Sequence, residues 1–228
     1  MENSTDNRKL GASMLTGLIE LVVLLLLVVF APAGTLHWWQ GWAFFAVFLG
    51  LSLIVIAYFS KRDPHLLANR ISHTEQRGRQ MWIAGALRLT WCVSVILPGL
   101  DHRFHWSHLS AGIAILGDVL VVAGYAAIFL ALRENTFAAS TVKVESEQRV
   151  ISTGPYALLR HPMYAGAVLM FVGTPLALGS LWGLLIVPPL LVALVARLLD
   201  EERFLREQLP GYKEYVGTVR HRLVPYVW

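Results

Sequence analysis

Long, uninterrupted apolar runs separated by short polar segments dominate the pattern of this chain. A helix that crosses a hydrocarbon core of about 30 Å needs about 20 apolar residues, and the runs approach this length. We therefore predict membrane-spanning helices rather than a soluble fold. The predicted spans run from Met14 to Phe30, Gly41 to Phe59, Met81 to Pro98, Leu109 to Leu132, Met163 to Leu178 and Leu181 to Leu199.

The last two predicted spans are separated only by Gly179 and Ser180. So short a connection permits only a tight turn, and we predict an antiparallel helical hairpin. Proline inside a helix removes a backbone hydrogen bond, so Pro175 and the pair Pro188-Pro189 are expected to bend its arms. The predicted fold class is an all-α polytopic membrane bundle of about six spans, with a C-terminal helical hairpin.

The composition of the chain indicates that this bundle lies in a lipid bilayer, and the distribution of its positive charges indicates an orientation. Hydrophobic residues make up 56% of the chain and charged residues 15%, whereas charged residues run near 25% in soluble proteins. Of the 19 Lys and Arg residues, 17 fall on one side of a six-span arrangement, and positively charged loops stay cytoplasmic. We expect an integral, multi-pass membrane protein with both termini cytoplasmic, in contact with the lipid bilayer and without a nucleic-acid partner. These cations lie in segments 8–9, 61–79, 133–160 and 197–222.

The first apolar run also admits a second interpretation, as a signal peptide. Arg8 and Lys9 precede it, and Ala31-Pro32-Ala33 has some resemblance to a cleavage site. Removal of this run would leave five spans and disturb the charge distribution, so we favour a spanning helix.

Ionisable residues inside predicted spans are functional candidates by default. Glu20 and Arg88 both lie about 10 Å deep at a rise of 1.5 Å per residue, on spans that enter from the cytoplasmic side. They could pair with each other, and Asp118 is a second candidate partner for Arg88. We favour a structural ion pair between helices.

Tryptophan and histidine cluster at the predicted outer ends of the spans. The loop after the third span holds His102, His105 and His108 at a spacing of three, but a metal needs convergent ligands that a short exposed loop does not guarantee. We predict exposed histidines and no metal site. Cys92 has no cysteine partner in the chain, so a disulfide or a cysteine metal site is not available. An interfacial aromatic belt is predicted from Trp38, Trp39, Trp42, Trp106 and Trp182.

The polar residues best suited to bind a charged ligand flank the hairpin at its two ends. Pro162 suits the first position of a helix, which makes His161 the cap and leaves backbone N–H groups free beside Arg160. This corner favours an anion such as a carboxylate. The chain returns to the same membrane surface at Glu201 and Glu202, so Arg, His and two carboxylates meet in one crevice. Such a set suits a zwitterionic ligand. Gly166, one turn into the helix, would permit close approach by a ligand or another helix.

A plainer reading of the second end is a solvated helix surface. Arg197 and Glu201, and likewise Glu202 and Arg206, have the spacing of four residues that allows ion pairs along one helix.

The two ends together resemble a known group of enzymes. The chain has Gly154-Pro155-Tyr156, the run RHPMYAG from Arg160, Glu201-Glu202, Gly211-Tyr212, Tyr215 and Arg222-Leu223-Val224-Pro225. Over about residues 133–226 this pattern resembles the isoprenylcysteine carboxyl methyltransferase and phospholipid methyltransferase superfamily. Residues 1–132 would then be N-terminal transmembrane helices, and residues 133–228 a methyltransferase-like cofactor-binding core within a single integrated membrane domain.

The resemblance implies an S-adenosylmethionine site open to the cytosol for the cofactor and to the bilayer for the substrate. By position, it gives contacts with the cofactor to His161, Tyr164, Glu201 and Glu202. It gives the orientation of the substrate, or of its anionic group, to Arg160 and Arg222. The segment Asn135-Thr136-Phe137 lies where relatives line the pocket.

The expected function is S-adenosylmethionine-dependent methyl transfer of the isoprenylcysteine carboxyl methyltransferase type, acting on a lipophilic or prenylated substrate at the cytoplasmic face. A carboxylate acceptor is already ionised at neutral pH, whereas an amine or a thiol must first lose a proton. The alternatives are a phospholipid or small-molecule N- or S-methyltransferase, a non-catalytic membrane protein on the same scaffold, and a nicotinamide-dependent reductase with a related bundle. The sequence leaves the acceptor and the oligomeric state open.

Overall fold

Helices make up the regular structure of the protein, which was analysed as a computed structural model describing residues 2–64, 66–67, 78–137 and 148–228. No strand occurs within these ranges, so the predicted all-α class is confirmed. Two 3-10 segments, Gly154–Ala157 and Trp182–Ile186, precede the fifth and sixth helices. The helices are α1 Glu2–Ala33, α2 Trp39–Arg62, α3 Gly78–Phe104, α4 Ala111–Glu134, α5 Pro162–Ala177, α6 Val187–Gln208 and α7 Tyr212–Thr218.

Most of these helices have the length and apolarity of membrane spans. Within the described ranges, four are long and apolar enough to cross a bilayer, and shorter apolar helices cover Ile19–Ala33 and Pro162–Ala177. The four long ones are Trp39–Arg62, Met81–Phe104, Ala111–Glu134 and Trp182–Gln208. The protein is thus an integral membrane protein, and about six spans accord with this set of helices.

The antiparallel hairpin forms as predicted around Gly179 and Ser180, but its prolines act differently from the expectation. Pro188 stands in the first turn of α6, where the 3-10 segment passes into the α-helix, so the Pro188-Pro189 pair starts the helix instead of bending it. Pro98, which was predicted to end the third span, lies inside α3. A Cβ on Gly183 would stand 2.9 Å from Pro98 Cγ, so the missing side chain makes room for the proline ring.

Helices α4 and α5 touch backbone to backbone through two pairs of glycines. A Cβ on Gly124 would lie 2.6 Å from the carbonyl oxygen of Gly166, and a Cβ on Gly166 would lie 2.6 Å from that of Gly124. Seven residues away on each helix, a Cβ on Gly173 would lie 2.8 Å from the carbonyl oxygen of Gly117. Small residues permit this approach in membranes. The close approach expected at Gly166 is therefore made by a helix, and it fixes α5 against α4.

Helix α5 is short for a membrane crossing. Its 16 residues extend about 24 Å, less than the roughly 30 Å of a hydrocarbon core. At least one end of the helix therefore lies below the surface of the apolar layer. His161, at the cap of α5, is buried, as is Arg160 before it.

The expected ion pair between α1 and α3 is not formed. Glu20 and Arg88 are both exposed, and the part of the chain that the structure describes holds no salt bridge between them. The two helices meet near their other ends, where a Cβ on Gly99 would stand 2.9 Å from Pro32 Cβ, so the charged ends need not converge. Asp118 is partly buried, and its Oδ1 has no hydrogen-bond partner.

The helix ends on the predicted outer side carry the predicted aromatic residues, with one exception. Trp39, Trp42, Trp106 and Trp182 are exposed, but Trp38 is buried and stacks on His102 with ring centroids 4.9 Å apart. The three histidine rings follow one another at 6.2 and 6.3 Å. Among the described residues no group of three or more His, Cys, Asp or Glu side chains could hold a metal ion.

A buried carboxylate closes the turn of the hairpin at this outer end. Asp101 is 1% exposed and accepts hydrogen bonds from the Ser107 backbone N–H at 2.7 Å and from the hydroxyls of Ser107 and Ser180. The same hydroxyls accept in turn from the backbone N–H groups of Leu181 at 3.2 Å and Gly183 at 2.9 Å. These contacts join the end of α3 to the start of the second hairpin arm.

Candidate functional site

The opposite end of the hairpin begins where the carboxyl-terminal segment pairs with the residues before α5. The backbone N–H of Arg160 donates to the carbonyl oxygen of His221 at 2.9 Å, and that of His161 donates to Arg222 at 3.1 Å. The Arg160 Nη2 also donates to the carbonyl oxygen of Arg220 at 3.1 Å. Two segments that are 60 residues apart are thereby aligned side by side.

Glu202, on α6, is the centre of the charges at this end. Its Oε1 lies 2.9 Å from Arg160 Nη1 and 3.3 Å from His161 Nε2. Its Oε2 lies 3.2 Å from Arg222 Nε and 3.7 Å from Arg206 Nη2. The side chains of Glu202 and Arg160 are each 4% exposed. One buried carboxylate thus contacts three guanidinium groups and an imidazole. The spacing of four residues along α6 explains only the longest of these contacts, the one with Arg206.

The Arg160 guanidinium keeps donors that the protein does not use. Although Nη1 is close to Glu202, Nε and Nη1 are both buried without a hydrogen-bond partner. Burial lowers the pKa of Arg160, the Glu202 carboxylate raises it, and the neighbouring Arg222 lowers it. A buried guanidinium with unused N–H groups is suited to an acceptor that comes with a ligand.

A second set of contacts joins the first turn of α5 to α6. The Tyr164 hydroxyl donates to Glu201 Oε2 and accepts from Arg197 Nε at 3.2 Å. Its ring stacks on His161, with centroids 5.5 Å apart. The six site residues predicted from the sequence therefore lie in one continuous cluster.

Helix α7 supplies two further residues, to which the sequence analysis had given no role. Gly211 has a φ of +82°, a left-handed conformation that suits glycine, and the helix starts at the next residue. The Tyr215 hydroxyl donates to the carbonyl oxygen of Tyr156 at 2.7 Å, which clamps the 3-10 segment before Arg160. Tyr212 is 4% exposed, and its ring lies against that of Tyr215, with centroids 5.8 Å apart. The motif Gly-Tyr-x-x-Tyr was the available signal.

The segment Asn135-Thr136-Phe137 lies beside the same 3-10 segment. Asn135 Nδ2 donates to the Tyr156 hydroxyl at 3.4 Å, and Asn135 Oδ1 accepts from the Phe137 backbone N–H at 3.1 Å. The chain that follows, with Lys143, lies outside the described residues.

The residues present fit a ligand that bears both charges. Glu201 and Glu202 offer carboxylates to an ammonium or sulfonium group, and Arg160 offers unused N–H groups to a carboxylate. All three belong to buried or partly buried side chains, where such contacts are stronger than in water. The arrangement can hold a zwitterion and an additional anion, since its cations outnumber the carboxylates they touch.

Comparison with known proteins agrees with this geometry. The family model for phospholipid methyltransferase matches residues 113–210, from the start of α4 to just beyond α6. Two rice proteins, from Oryza sativa subsp. indica and subsp. japonica, are described as probable protein-S-isoprenylcysteine O-methyltransferases. Each is 26% identical to this chain over 193 residues, covering 82% of the chain and 97% of the relative.

The helical fold, the membrane spans and the match to a methyltransferase model together define an integral membrane methyltransferase. Within this class, the comparisons support the superfamily that the sequence motifs resemble, that of the isoprenylcysteine carboxyl methyltransferases and phospholipid methyltransferases.

Proposed function

We propose that this protein transfers a methyl group from S-adenosylmethionine to a carboxylate on a lipophilic substrate at the cytoplasmic face of the membrane. The observation that carries the proposal is the cluster around Glu202, in which Arg160, His161 and Arg222 surround one buried carboxylate. The rice relatives, whose printed names give an isoprenylcysteine O-methyltransferase activity, favour a carboxyl group as the acceptor.

The proposed roles divide the cluster in two. Glu201, Glu202, His161 and Tyr164 bind the methyl donor, and the two carboxylates accept hydrogen bonds from its ammonium group. Arg160 and Arg222 hold the anionic oxygens of the acceptor. The cofactor supplies an electrophilic methyl group on a positively charged sulfur.

Alignment is then the main contribution of the protein to catalysis. With the donor bound, a carboxylate oxygen would form the new bond to the methyl carbon as the carbon–sulfur bond breaks, leaving a methyl ester and S-adenosylhomocysteine. An ionised acceptor needs no general base, so the side chains position the reactants, and positioning can contribute about 7–11 kcal/mol. The guanidinium groups must hold the carboxylate and still leave a lone pair free on the attacking oxygen.

The cytoplasmic location and the cytoplasmic placement of both termini are supported by charge. The site lies among the cations of segment 197–222, and 17 of the 19 Lys and Arg residues fall on this side of a six-span arrangement. A cytosolic cofactor would reach the site from that side.

Methylation of a phospholipid amine is the second candidate, because the matching family model is that of phospholipid methyltransferase. An ammonium acceptor must lose a proton before it attacks. His161 would be the base, but its Nε2 lies 3.3 Å from Glu202, so a proton taken there would enter an existing ion cluster.

The test combines binding and transfer on protein purified in a detergent that preserves its fold. Calorimetry measures the affinity for S-adenosylmethionine, and methyl-labelled cofactor measures transfer to three acceptors. These are N-acetyl-S-farnesylcysteine, its carboxamide, and phosphatidylethanolamine in vesicles. We expect binding, and label on the free acid alone. Absence of cofactor binding would falsify the proposal, and binding of a nicotinamide cofactor instead would indicate a reductase.

A pair of variants on one helix controls this experiment. Glu202→Ala should abolish transfer because Arg160 loses its buried counter-charge, whereas Glu207→Ala removes an exposed carboxylate five residues further on α6 and should leave transfer unchanged. Label on phosphatidylethanolamine in place of the free acid would establish the second candidate. Wild-type binding without transfer to any acceptor would contradict the carboxyl specificity.

A further inference from the structure

The chain after α7 closes into a short loop, residues 222–228, which is held by its own main chain. The backbone N–H groups of Arg222, Leu223 and Val224 donate to the backbone oxygen of Trp228 at 2.8, 3.0 and 3.1 Å. Tyr226 has a φ of +64°, a left-handed conformation that a residue other than glycine adopts only where its surroundings impose it. The 222–228 loop is therefore a defined structural element.

This loop exposes apolar and aromatic side chains. Val224, Tyr226 and Val227 are 48%, 87% and 79% exposed. The Val227 backbone N–H donates to the Val224 carbonyl oxygen at 3.2 Å, so the three side chains belong to one turn. Arg220, just before the loop, is exposed as well. In water this turn would forgo about 25 cal/mol for each Å² of apolar surface left unburied. Apolar and aromatic side chains beside a cation are typical of segments that lie in a membrane surface.

The depth of the loop follows from its pairing with the start of α5. The backbone N–H of His161 donates to the carbonyl oxygen of Arg222 at 3.1 Å, directly before Pro162. At the other end of the hairpin, Trp106 and Trp182 are exposed with ring centroids 6.0 Å apart, and such tryptophans mark a membrane interface. The 16 residues of α5 extend about 24 Å from there, about 6 Å less than a hydrocarbon core of roughly 30 Å. The first turn of α5, and the loop paired with it, therefore lie at the edge of the apolar layer.

We infer that the 222–228 loop is a membrane-surface contact, with the side chains of Val224, Tyr226 and Val227 inserted among the lipids of the leaflet at the Glu202 end. The partner is the bilayer that the helices already span, so the loop continues the lipid-facing surface of the protein. Arg222 begins the loop, and its Nε lies 3.2 Å from Glu202, so one residue connects this leaflet to the candidate site. The inference goes beyond the proposed function, because it does not depend on which donor or acceptor the site takes.

Fluorescence quenching by lipids tests the inference on the full chain in phosphatidylcholine vesicles. Single cysteines are introduced in a Cys92→Ala background, one per protein, as Val227→Cys, Val192→Cys and Gln208→Cys. Each carries an environment-sensitive NBD label, and the quencher is phosphatidylcholine with a nitroxide on its acyl chain. Val192, 71% exposed on α6, is the reference for lipid contact. Gln208, exposed and about 9 Å beyond Glu202 along α6, is the reference for water.

The label at position 227 should emit at a shorter wavelength than the label at 208. It should also be quenched several times more strongly, close to the label at 192. Emission and quenching at 227 equal to those at 208 would overturn the inference.

A charge added to the loop provides a second test. Val224→Asp in the labelled Val227→Cys protein should bring the quenching down towards the level at 208, because a carboxylate is costly among acyl chains. Thr218→Asp, at an exposed position of α7 outside the loop, is the matched control and should leave the quenching unchanged. Thermal unfolding shows that each labelled protein is folded. Quenching that stays at the level of position 192 after Val224→Asp would contradict insertion of this turn.

Discussion

Two buried carboxylates stand at opposite ends of the hairpin, and they are satisfied in different ways. Asp101, at the outer end, accepts from one backbone N–H and two serine hydroxyls, all of them neutral donors. Glu202, at the other end, faces three guanidinium groups and an imidazole. The first is a closed structural junction, and the second carries an excess of positive charge.

The difference extends to the groups around each carboxylate. The serine hydroxyls that donate to Asp101 also accept from backbone N–H groups, so each hydroxyl both donates and accepts a hydrogen bond. At Glu202, by contrast, Arg160 keeps two buried nitrogens without a hydrogen bond. A junction that serves structure alone has no need of spare donors, because unsatisfied buried donors cost stability. Spare donors are what a binding site leaves for its ligand.

The largest effect should follow when the charge at the inner end is removed. Glu202→Gln keeps the size of the side chain but leaves Arg160 buried without a counter-charge, which should lower the free energy of unfolding by about 3 kcal/mol. Methyl transfer should fall at least tenfold in the protein that remains folded. Chemical unfolding in mixed micelles and the labelled-cofactor assay measure the two effects, and the exposed Glu207→Gln is the control. A fully active Glu202→Gln variant would show that the Glu202 end, like the Asp101 end, has only a structural role.

The second largest effect should come from the helix contact between the two ends. Gly166→Ala places a methyl group 2.6 Å from the Gly124 carbonyl oxygen, so α5 must move away from α4, at a cost of about 2 kcal/mol. Because His161 and Tyr164 are carried on the first turn of α5, cofactor affinity should fall as well. Gly50→Ala, where no atom lies within 4 Å of the new methyl group, should change neither quantity. An unchanged cofactor affinity in Gly166→Ala would show that the site does not depend on this spacing.

The sequence was a good guide to the helices and to the inner end, and a poor one to the outer end. Apolar length alone marks a membrane helix, and the Arg160-His161-Pro162 and Glu201-Glu202 motifs are short, so a single turn brings them together. The serine contacts of Asp101 depend on where the Ser180 turn meets the end of α3, and no local pattern encodes that meeting. Trp38 was predicted to lie at the membrane interface, but it is buried against His102. That burial depends on how the helices pack, which the local sequence does not show. The Glu20–Arg88 pair failed for the same reason.

The amide change at the outer end should have a smaller and separable effect. In Asp101→Asn the hydroxyls of Ser107 and Ser180 can rotate to suit the amide, so the free energy of unfolding should fall by only about 1–2 kcal/mol. Affinity for S-adenosylmethionine in the folded fraction should not change. Thermal unfolding and calorimetry on the same preparation separate the two quantities. A loss of affinity comparable to that of Glu202→Gln would mean that the outer junction also belongs to the binding site.

The smallest effect should come from the aromatic neighbour of the inner cluster. The guanidinium of Arg222 lies 5.0 Å from the centre of the Trp228 ring, while its Nε faces Glu202 at 3.2 Å. A cation–π contact of this kind contributes about 0.5–1 kcal/mol when exposed, so Trp228→Ala should raise the KM for N-acetyl-S-farnesylcysteine only about two- to fivefold, with cofactor affinity unchanged. Trp228→Phe keeps an aromatic face and should restore most of the difference. An unchanged KM in Trp228→Ala, together with a raised KM in Arg222→Lys, would contradict this prediction. The guanidinium would then be positioned by Glu202 and the main chain alone, and the Trp228 ring would not belong to the site.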